Sequence, residues 1–171
     1  MTTSHKQAPA FRPDWAFLMR HPAHLLAFGF GSGLARKAPG TWGTLVAYPL
    51  FFLLLALGAG PLLISLLCVP LFVLGVWACQ KTGDALGVHD YGGIVWDEVV
   101  AMLLVLAWAP AGWAGWLLAF ALFRLFDIVK PWPIGWFDRR VHGGFGVMLD
   151  DIIAAGFALV VQALLASWLP V

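Results

Sequence analysis

Residues 44–79 read TLVAYPLFFLLLALGAGPLLISLLCVPLFVLGVWAC and contain no Asp, Glu, Lys or Arg. A membrane-spanning helix needs roughly 17–25 apolar residues, so this stretch is too long for a single crossing. The run Leu57-Gly58-Ala59-Gly60-Pro61 interrupts it, because glycine and proline are unfavourable inside a helix. The stretch therefore predicts two spans, at about residues 44–58 and 61–79, joined by a tight turn.

Three further spans are predicted downstream, at about residues 94–109, 113–129 and 152–169. The first two are separated by Ala109-Pro110-Ala111-Gly112, which is typical of a turn. We therefore expect an all-α fold, a polytopic membrane helix bundle with four to five transmembrane helices. The number is four if the first segment is re-entrant.

The charged residues are concentrated in two segments, Lys81–Glu98 and Arg124–Asp151, which hold eight of the nine acidic residues. Over the whole chain 61% of residues are hydrophobic and 11% are charged, with a mean hydropathy of +0.87. A soluble domain carries roughly a quarter charged residues spread over its surface, so this pattern indicates a membrane protein. The chain has no basic stripe, and we expect no nucleic-acid partner.

The basic residues predict the orientation of the chain. Five of them precede the first span: Lys6, Arg12, Arg20, Arg36 and Lys37. Cytoplasmic loops are enriched in Lys and Arg, so residues 1–22 are expected to be a cytoplasmic tail before a membrane domain at 23–171. Counting spans forward returns both charged segments to the cytoplasm and places the uncharged turns at 58–60 and 109–112 outside. A polar face confined to the cytoplasmic side suits an enzyme that acts on lipid headgroups better than a transporter.

Six acidic residues in the charged segments are candidate metal ligands: Asp84, Asp97, Glu98, Asp127, Asp150 and Asp151. Carboxylates at the edge of apolar segments are costly to keep ionised without a cation or a basic partner. Hard oxygen ligands favour Mg²⁺ over zinc, so Mg²⁺ is the expected cofactor. Acids at a helix start are also stabilised by the helix dipole and by capping, which is the alternative explanation for Asp97, Glu98 and the Asp150–Asp151 pair.

Three residues are candidates to bind a substrate phosphate: Thr41, Lys130 and Arg139. Basic side chains and glycine-rich backbone are common phosphate ligands. Asp138 and His142 lie within about one helical turn of each other and are candidates to protonate a leaving alkoxide. The alternatives are a polybasic patch that contacts anionic lipid, and helix capping by Thr41.

These motifs together resemble bacterial phosphatidylglycerophosphatase A over about residues 24–155, in order and with consistent spacing. The segments that carry the resemblance are Gly29–Gly33, Pro39–Gly43, Gly87–Asp90, Ile94–Glu98, Phe123–Asp127, Lys130–Pro133, Asp138–Gly144 and Asp150–Asp151. The resemblance implies an enzyme of the bacterial inner membrane that uses Mg²⁺. Its substrate would be the phospholipid phosphatidylglycerophosphate, from which it removes the terminal phosphate to give phosphatidylglycerol.

Two other classes of protein fit parts of the pattern. A CDP-alcohol-type lipid phosphotransferase also places several Asp residues at the membrane face, but its DGxxAR run is absent from this chain. A non-enzymatic membrane protein would not need eight clustered acids. A lipid phosphatase is therefore the expected function.

Overall fold

The computed structural model describes residues 11–88 and 91–166, and every regular element in these two ranges is helical. The elements are α1 (Trp15–Leu18), α2 (Pro22–Ala27), a 3-10 segment (Gly29–Leu34), α3 (Pro39–Ala56), α4 (Pro61–Leu86), α5 (Trp96–Ala107), α6 (Trp113–Val129), α7 (Ile134–Arg140) and α8 (Gly143–Ala166). The predicted all-α class is confirmed. Residues 1–10 of the predicted tail, His89 and Asp90, and the end of the last predicted span lie outside the described residues.

Both predicted helix breaks are present. The first separates α3 from α4, and Gly58 adopts a φ of +81° there, in the left-handed region that favours glycine. The second separates α5 from α6, and Gly112 adopts a φ of +103°. Pro61 begins α4, where its missing N–H costs nothing. Glycine and proline in the sequence therefore placed these two turns correctly.

Within residues 11–88 and 91–166, three helices are long and apolar enough to cross a membrane: α3, α4 and α8. The predicted count of four to five is not confirmed, and α5 shows why. With 12 residues it extends about 18 Å, well short of the roughly 30 Å hydrocarbon core. Ten of those residues are buried, so its apolar sequence reflects packing against other helices.

Helix α5 lies at the centre of the bundle and packs against α3, α4, α6 and α8. One side-chain hydrogen bond at each end connects α5 to a neighbouring helix. The indole N–H of Trp96 donates to the Leu71 carbonyl at 3.2 Å, and Gln162 Nε2 donates to the Trp108 carbonyl at 2.9 Å. Backbone carbonyls at a helix end need a donor where water is excluded, and Gln162 supplies it.

The segment before the first span is partly packed onto the bundle. Phe17 and Leu18 of α1 are buried, and the Phe17 ring stacks on His24 with a centroid distance of 4.3 Å. His24 Nδ1 in turn lies 3.0 Å from Thr82 Oγ1 on α4. The described part of the predicted tail therefore contacts the domain, and the boundary at residue 22 stays a prediction.

Helices α4 and α8 approach closely at glycines. A Cβ at Gly144 would overlap the Val76 carbonyl oxygen and lie 2.6 Å from the Gln80 backbone nitrogen. The Gly144 N–H also donates to Gln80 Oε1 at 2.8 Å. Small residues of this kind let helix backbones pack tightly inside a membrane.

We expect Gly144→Ala to lower the free energy of unfolding by about 1–3 kcal/mol, because the methyl group overpacks a backbone contact. Thermal unfolding in detergent measures the effect. Gly156→Ala on the same helix is the matched control, since a Cβ there meets nothing within 4 Å. That control should be neutral or slightly stabilising. Equal melting temperatures for the two variants would contradict the close α4–α8 approach.

Candidate active site

A polar cavity of about 410 Å³ lies where the start of α5, the end of α6 and the first turns of α8 meet. Turn residues before α3 and the α6–α8 connection complete its wall. Its titratable lining residues are Asp97, Glu98, Arg124, Asp127, Lys130, Asp138, His142, Asp150 and Asp151. The structure thus gathers residues from both charged segments into one cavity, which we call the main cavity.

Three carboxylates form the centre of the main cavity. Asp97 and Glu98 lie in the first turn of α5, and Asp151 lies about two turns inside α8. One oxygen from each residue lies within 4.8 Å of the others. Neighbouring residues on a helix are about 100° apart, yet Asp97 and Glu98 both contribute to the group.

The carboxylate group has the properties of a site for a hard divalent cation. Asp97 Oδ1, Glu98 Oε2 and Asp151 Oδ2 are buried and accept no hydrogen bond from residues 11–88 or 91–166. Buried, closely spaced carboxylates without donors are unfavourable unless a cation or protons compensate them. Oxygen ligands of this type suit Mg²⁺ or Ca²⁺. The chemistry of the donor set therefore fits a metal ion.

The positions of Asp150 and Asp151 test whether these acids stabilise the start of a helix. The sequence placed Asp150 and Asp151 at the start of a final span, where acids stabilise a helix end. Helix α8 instead begins at Gly143 and has no acidic residue in its first turn, so that explanation is wrong for both residues. Asp97 and Glu98 do lie in a first turn, so the helix dipole is an explanation for these two acids alongside the predicted metal site.

Arg124 lies beside the carboxylate group and connects it to Asp127. Its Nη1 forms an ion pair with Asp127 one turn along α6, and it lies 3.7 Å from Glu98 Oε1. Thr44 Oγ1 accepts a hydrogen bond from Nη1 at 3.5 Å and itself donates to the Gly40 carbonyl at 2.8 Å. The predicted metal ligand Asp127 therefore lines the main cavity, where it is paired with Arg124.

Lys130 joins two further acids at the edge of the cavity. It ends α6 in the left-handed conformation, with a φ of +43°, and its Nζ donates to Asp138 Oδ1 at 2.6 Å and to Asp150 Oδ2. Burial acts to lower the pKa of Lys130, but Asp150 and Asp138 outweigh it and hold that pKa above its ordinary value. Lys130 is therefore a cation at neutral pH.

His142 lies between α7 and α8, is exposed at the cavity, and has no hydrogen-bond partner in the described residues. Gly40 also lines the main cavity. A Cβ there would overlap Glu98 Oε1 and come within 3.2 Å of Arg124 Nη1. The wall of the cavity thus has room for a glycine and no more at this position.

The structure does not bring Thr41, Asp84 or Arg139 to the wall of the main cavity. Asp84 is exposed on α4 and accepts a hydrogen bond from Gln80 Nε2 at 2.8 Å. Thr41 is in the first turn of α3, whose neighbouring Gly40 lines the cavity instead, and Arg139 is exposed on α7. The roles predicted for these three residues stay predictions.

Sequence reasoning missed the contributions of Thr44 and Gly40. The spacing of Arg124 and Asp127 at i, i+3 does predict an ion pair on one helix face, and the structure contains it. Nothing in the sequence linked Thr44 to Arg124, because the two are 80 positions apart.

Comparison with known proteins identifies the family. The family described as "PgpA: Phosphatidylglycerophosphatase A" matches residues 25–166. A protein named phosphatidylglycerophosphatase A from Haemophilus influenzae is 49% identical over 87% of this chain and 91% of its own length. The Escherichia coli K12 protein of the same name is 49% identical over 80% of this chain and 78% of its own length.

A more distant relative from Bacteroides thetaiotaomicron carries the provisional name phosphatidylinositol-3-phosphatase. It is 35% identical over 88% of this chain and 98% of its own length. No solved structure matches the chain at a significant level. The matching profile covers most of the chain, including every residue of the main cavity, and the chain belongs to the phosphatidylglycerophosphatase A family.

Proposed function

We propose that this chain hydrolyses the terminal phosphomonoester of phosphatidylglycerophosphate to phosphatidylglycerol and inorganic phosphate. The family and the names of the two relatives at 49% identity support the substrate. The observation that carries the proposal is the group of Asp97, Glu98 and Asp151 in a cavity that also holds Arg124 and Lys130. Carboxylates that bind a metal, next to cations that bind phosphate, are what hydrolysis of a phosphomonoester requires.

The proposal includes Mg²⁺, held by Asp97, Glu98 and Asp151. When bound, Mg²⁺ neutralises charge on the phosphoryl oxygens and lowers the pKa of a coordinated water. Asp127 and Asp150 also line this cavity. Asp127 forms an ion pair with Arg124, and Asp150 forms one with Lys130. A phosphate that entered the cavity would meet both cations, which are already held in place by those acids.

Release of the lipid alcohol requires a proton, and His142 is the better placed of the two candidates. Asp138 already accepts a hydrogen bond from Lys130. His142 is exposed at the cavity without such a partner in the described residues, so its imidazole can face the leaving oxygen. The phosphoryl group and the proton donor then lie in one cavity, as general acid catalysis requires.

We further propose that the protein lies in the bacterial inner membrane with the main cavity at the cytoplasmic face. The three long apolar helices support a membrane location, and the basic residues before α3 support the orientation. A lipid substrate presents its headgroup at the bilayer surface. Asp97 and Glu98 lie in the first turn of α5 and Asp127 lies in the last turn of α6, which suits such a substrate.

The direct test measures phosphate release from phosphatidylglycerophosphate in detergent micelles, with Mg²⁺ and with EDTA. We expect release that requires Mg²⁺ and stops in EDTA. Phosphatidylinositol 3-phosphate is the comparison substrate, because one relative carries the name of an enzyme for that lipid. No release from folded protein in Mg²⁺ would contradict the proposed function and favour a transferase or a non-enzymatic protein.

Asp84→Asn is expected to keep activity within about twofold of the wild type, since surface substitutions away from a site have small effects. The side chain is exposed, contacts Gln80 and does not reach the main cavity. The same phosphate-release assay checks this. A loss of activity as large as that of an Asp97 variant would contradict this prediction and support Asp84 as a metal ligand.

A further inference from the structure

A second cavity, of about 220 Å³, lies beside the main cavity. The segment before α1, the end of the 3-10 segment and the loop before α5 form its wall. Its charged lining residues are Arg12 and Arg36, and the remaining wall includes Tyr91 and three glycines. We call it the arginine cavity.

The two cavities share part of their walls. Pro39 and Gly92 line both of them. The backbone around the arginine cavity is also closely packed, because a Cβ at Gly33 would overlap the Gly93 carbonyl oxygen. A ligand that extends a short distance beyond the main cavity would therefore enter the arginine cavity between two fixed backbone segments.

The cations of the arginine cavity differ from those of the main cavity. Arg124 and Lys130 are each paired with two carboxylates. Arg12 and Arg36 form no ion pair with an acid in the described parts of the chain. The arginine cavity also has no acidic lining residue among those described. Two unpaired guanidinium groups in a small cavity favour an anion, and phosphate matches their geometry.

Phosphatidylglycerophosphate carries two phosphates separated by one glycerol unit. The terminal phosphomonoester is the group that is hydrolysed, and the inner phosphodiester joins the headgroup to the diacylglycerol. We propose that the arginine cavity binds this phosphodiester while the phosphomonoester occupies the main cavity. This proposal rests on the proposed function and adds a basis for substrate selection. The product phosphatidylglycerol keeps the phosphodiester, so it should bind the same cavity and inhibit.

Kinetics with two lipids test the proposal. Phosphatidate is the comparison substrate, because it is an anionic lipid with a phosphomonoester and no phosphodiester. We expect Arg12→Gln and Arg36→Gln each to raise KM for phosphatidylglycerophosphate about tenfold, the scale of a charge-assisted hydrogen bond, with kcat unchanged. The KM for phosphatidate should not change. Inhibition by added phosphatidylglycerol should weaken by a similar factor.

Arg20→Gln and Lys37→Gln are the matched controls, since both residues are exposed cations before α3, as Arg12 and Arg36 are, but do not line the arginine cavity. Equal KM changes in all four variants, or for both lipids, would assign the effect to general attraction to anionic micelles and overturn the proposal. Unchanged KM in Arg12→Gln and Arg36→Gln would also overturn it.

Equilibrium binding of phosphatidylglycerol to the detergent-solubilised protein gives a readout that needs no turnover. If the wild type hydrolyses neither lipid, the proposed function fails. Weaker phosphatidylglycerol binding by Arg12→Gln and Arg36→Gln, with unchanged binding by the two controls, would still support the arginine cavity. Equal binding by all variants would exclude it.

Discussion

The Asp97→Asn variant is expected to lose phosphatase activity by about a thousandfold or more while its fold stays intact. Asp97 contributes one oxygen to the buried carboxylate group with Glu98 and Asp151. Loss of a ligand weakens metal binding and the charge stabilisation that a metal supplies, which is worth several kcal/mol, and each 1.36 kcal/mol changes a rate tenfold. Phosphate release at saturating Mg²⁺ measures the loss.

The melting temperature separates a metal site from a structural role for Asp97. Without Mg²⁺ the three carboxylates repel one another, so replacing one by a neutral amide should leave the melting temperature in EDTA equal to that of the wild type or higher. With Mg²⁺ the wild type should gain stability, because a ligand that binds the folded state stabilises it. The variant should gain little.

Three results would contradict this assignment. A lower melting temperature of Asp97→Asn in EDTA would show that the carboxylate supports the fold. A wild type that Mg²⁺ does not stabilise would remove the metal ion from the proposal. Equal losses in Asp97→Asn and Asp84→Asn would mean that burial in the main cavity does not identify the important acids.

The general architecture followed from the sequence because its signals are local. Glycine and proline at residues 57–61 and 109–112 ended helices where the structure ends them. The charged segments lay between apolar stretches, so chain reversal at the uncharged turns had to bring them to one end of the bundle. Gathering Asp97, Asp127 and Asp151 into one cavity is a consequence of that topology.

The role of α5 could not be read from hydropathy. Residues 94–109 are apolar either because they face lipid or because they face other helices, and composition is the same in both cases. The structure decides it, since α5 has 12 residues and is almost entirely buried. A short central helix also explains why its first turn, with Asp97 and Glu98, lies next to α8.

Contacts between distant parts of the chain were equally beyond reach from one sequence. The contact of Thr44 with Arg124 and that of Gly40 with Glu98 depend on how α3 packs against α5 and α6. Asp84, by contrast, was predicted to be a metal ligand at the site but does not line the main cavity. The structure shows it accepting a hydrogen bond from Gln80, and its role as a ligand stays a prediction.

Gly40→Ala is expected to lower activity about a hundredfold with little change in stability. The new methyl group would overlap Glu98 Oε1 and lie 3.3 Å from Glu98 Cδ, so the carboxylate has to move. Glu98 lies close to Asp97 and Asp151, and its Oε1 lies 3.7 Å from Arg124 Nη1, so a movement of its side chain disturbs the carboxylate group. A displacement of about 1 Å at a catalytic group can cost about a hundredfold in rate.

The free energy of unfolding of Gly40→Ala should stay unchanged or rise slightly, because alanine is favoured over glycine in a helix by up to about 1 kcal/mol. Gly60→Ala, where a Cβ meets nothing within 4 Å, is the matched control and should leave both activity and melting temperature unchanged. A large fall in the melting temperature of Gly40→Ala would indicate that α3 itself is displaced, and the activity loss would then carry no information about Glu98.

A double-mutant cycle with Glu98→Asp tests the contact directly. Glu98→Asp is expected to lower activity by itself, because the shorter side chain withdraws its oxygen from Asp97 and Asp151. The same withdrawal makes room for the methyl group, so adding Gly40→Ala to Glu98→Asp should cost little more. Coupling of this kind is expected between residues in contact, whereas independent sites give additive changes in activation free energy. Additive losses would show that Gly40 acts on another part of the cavity, and the steric explanation would be wrong.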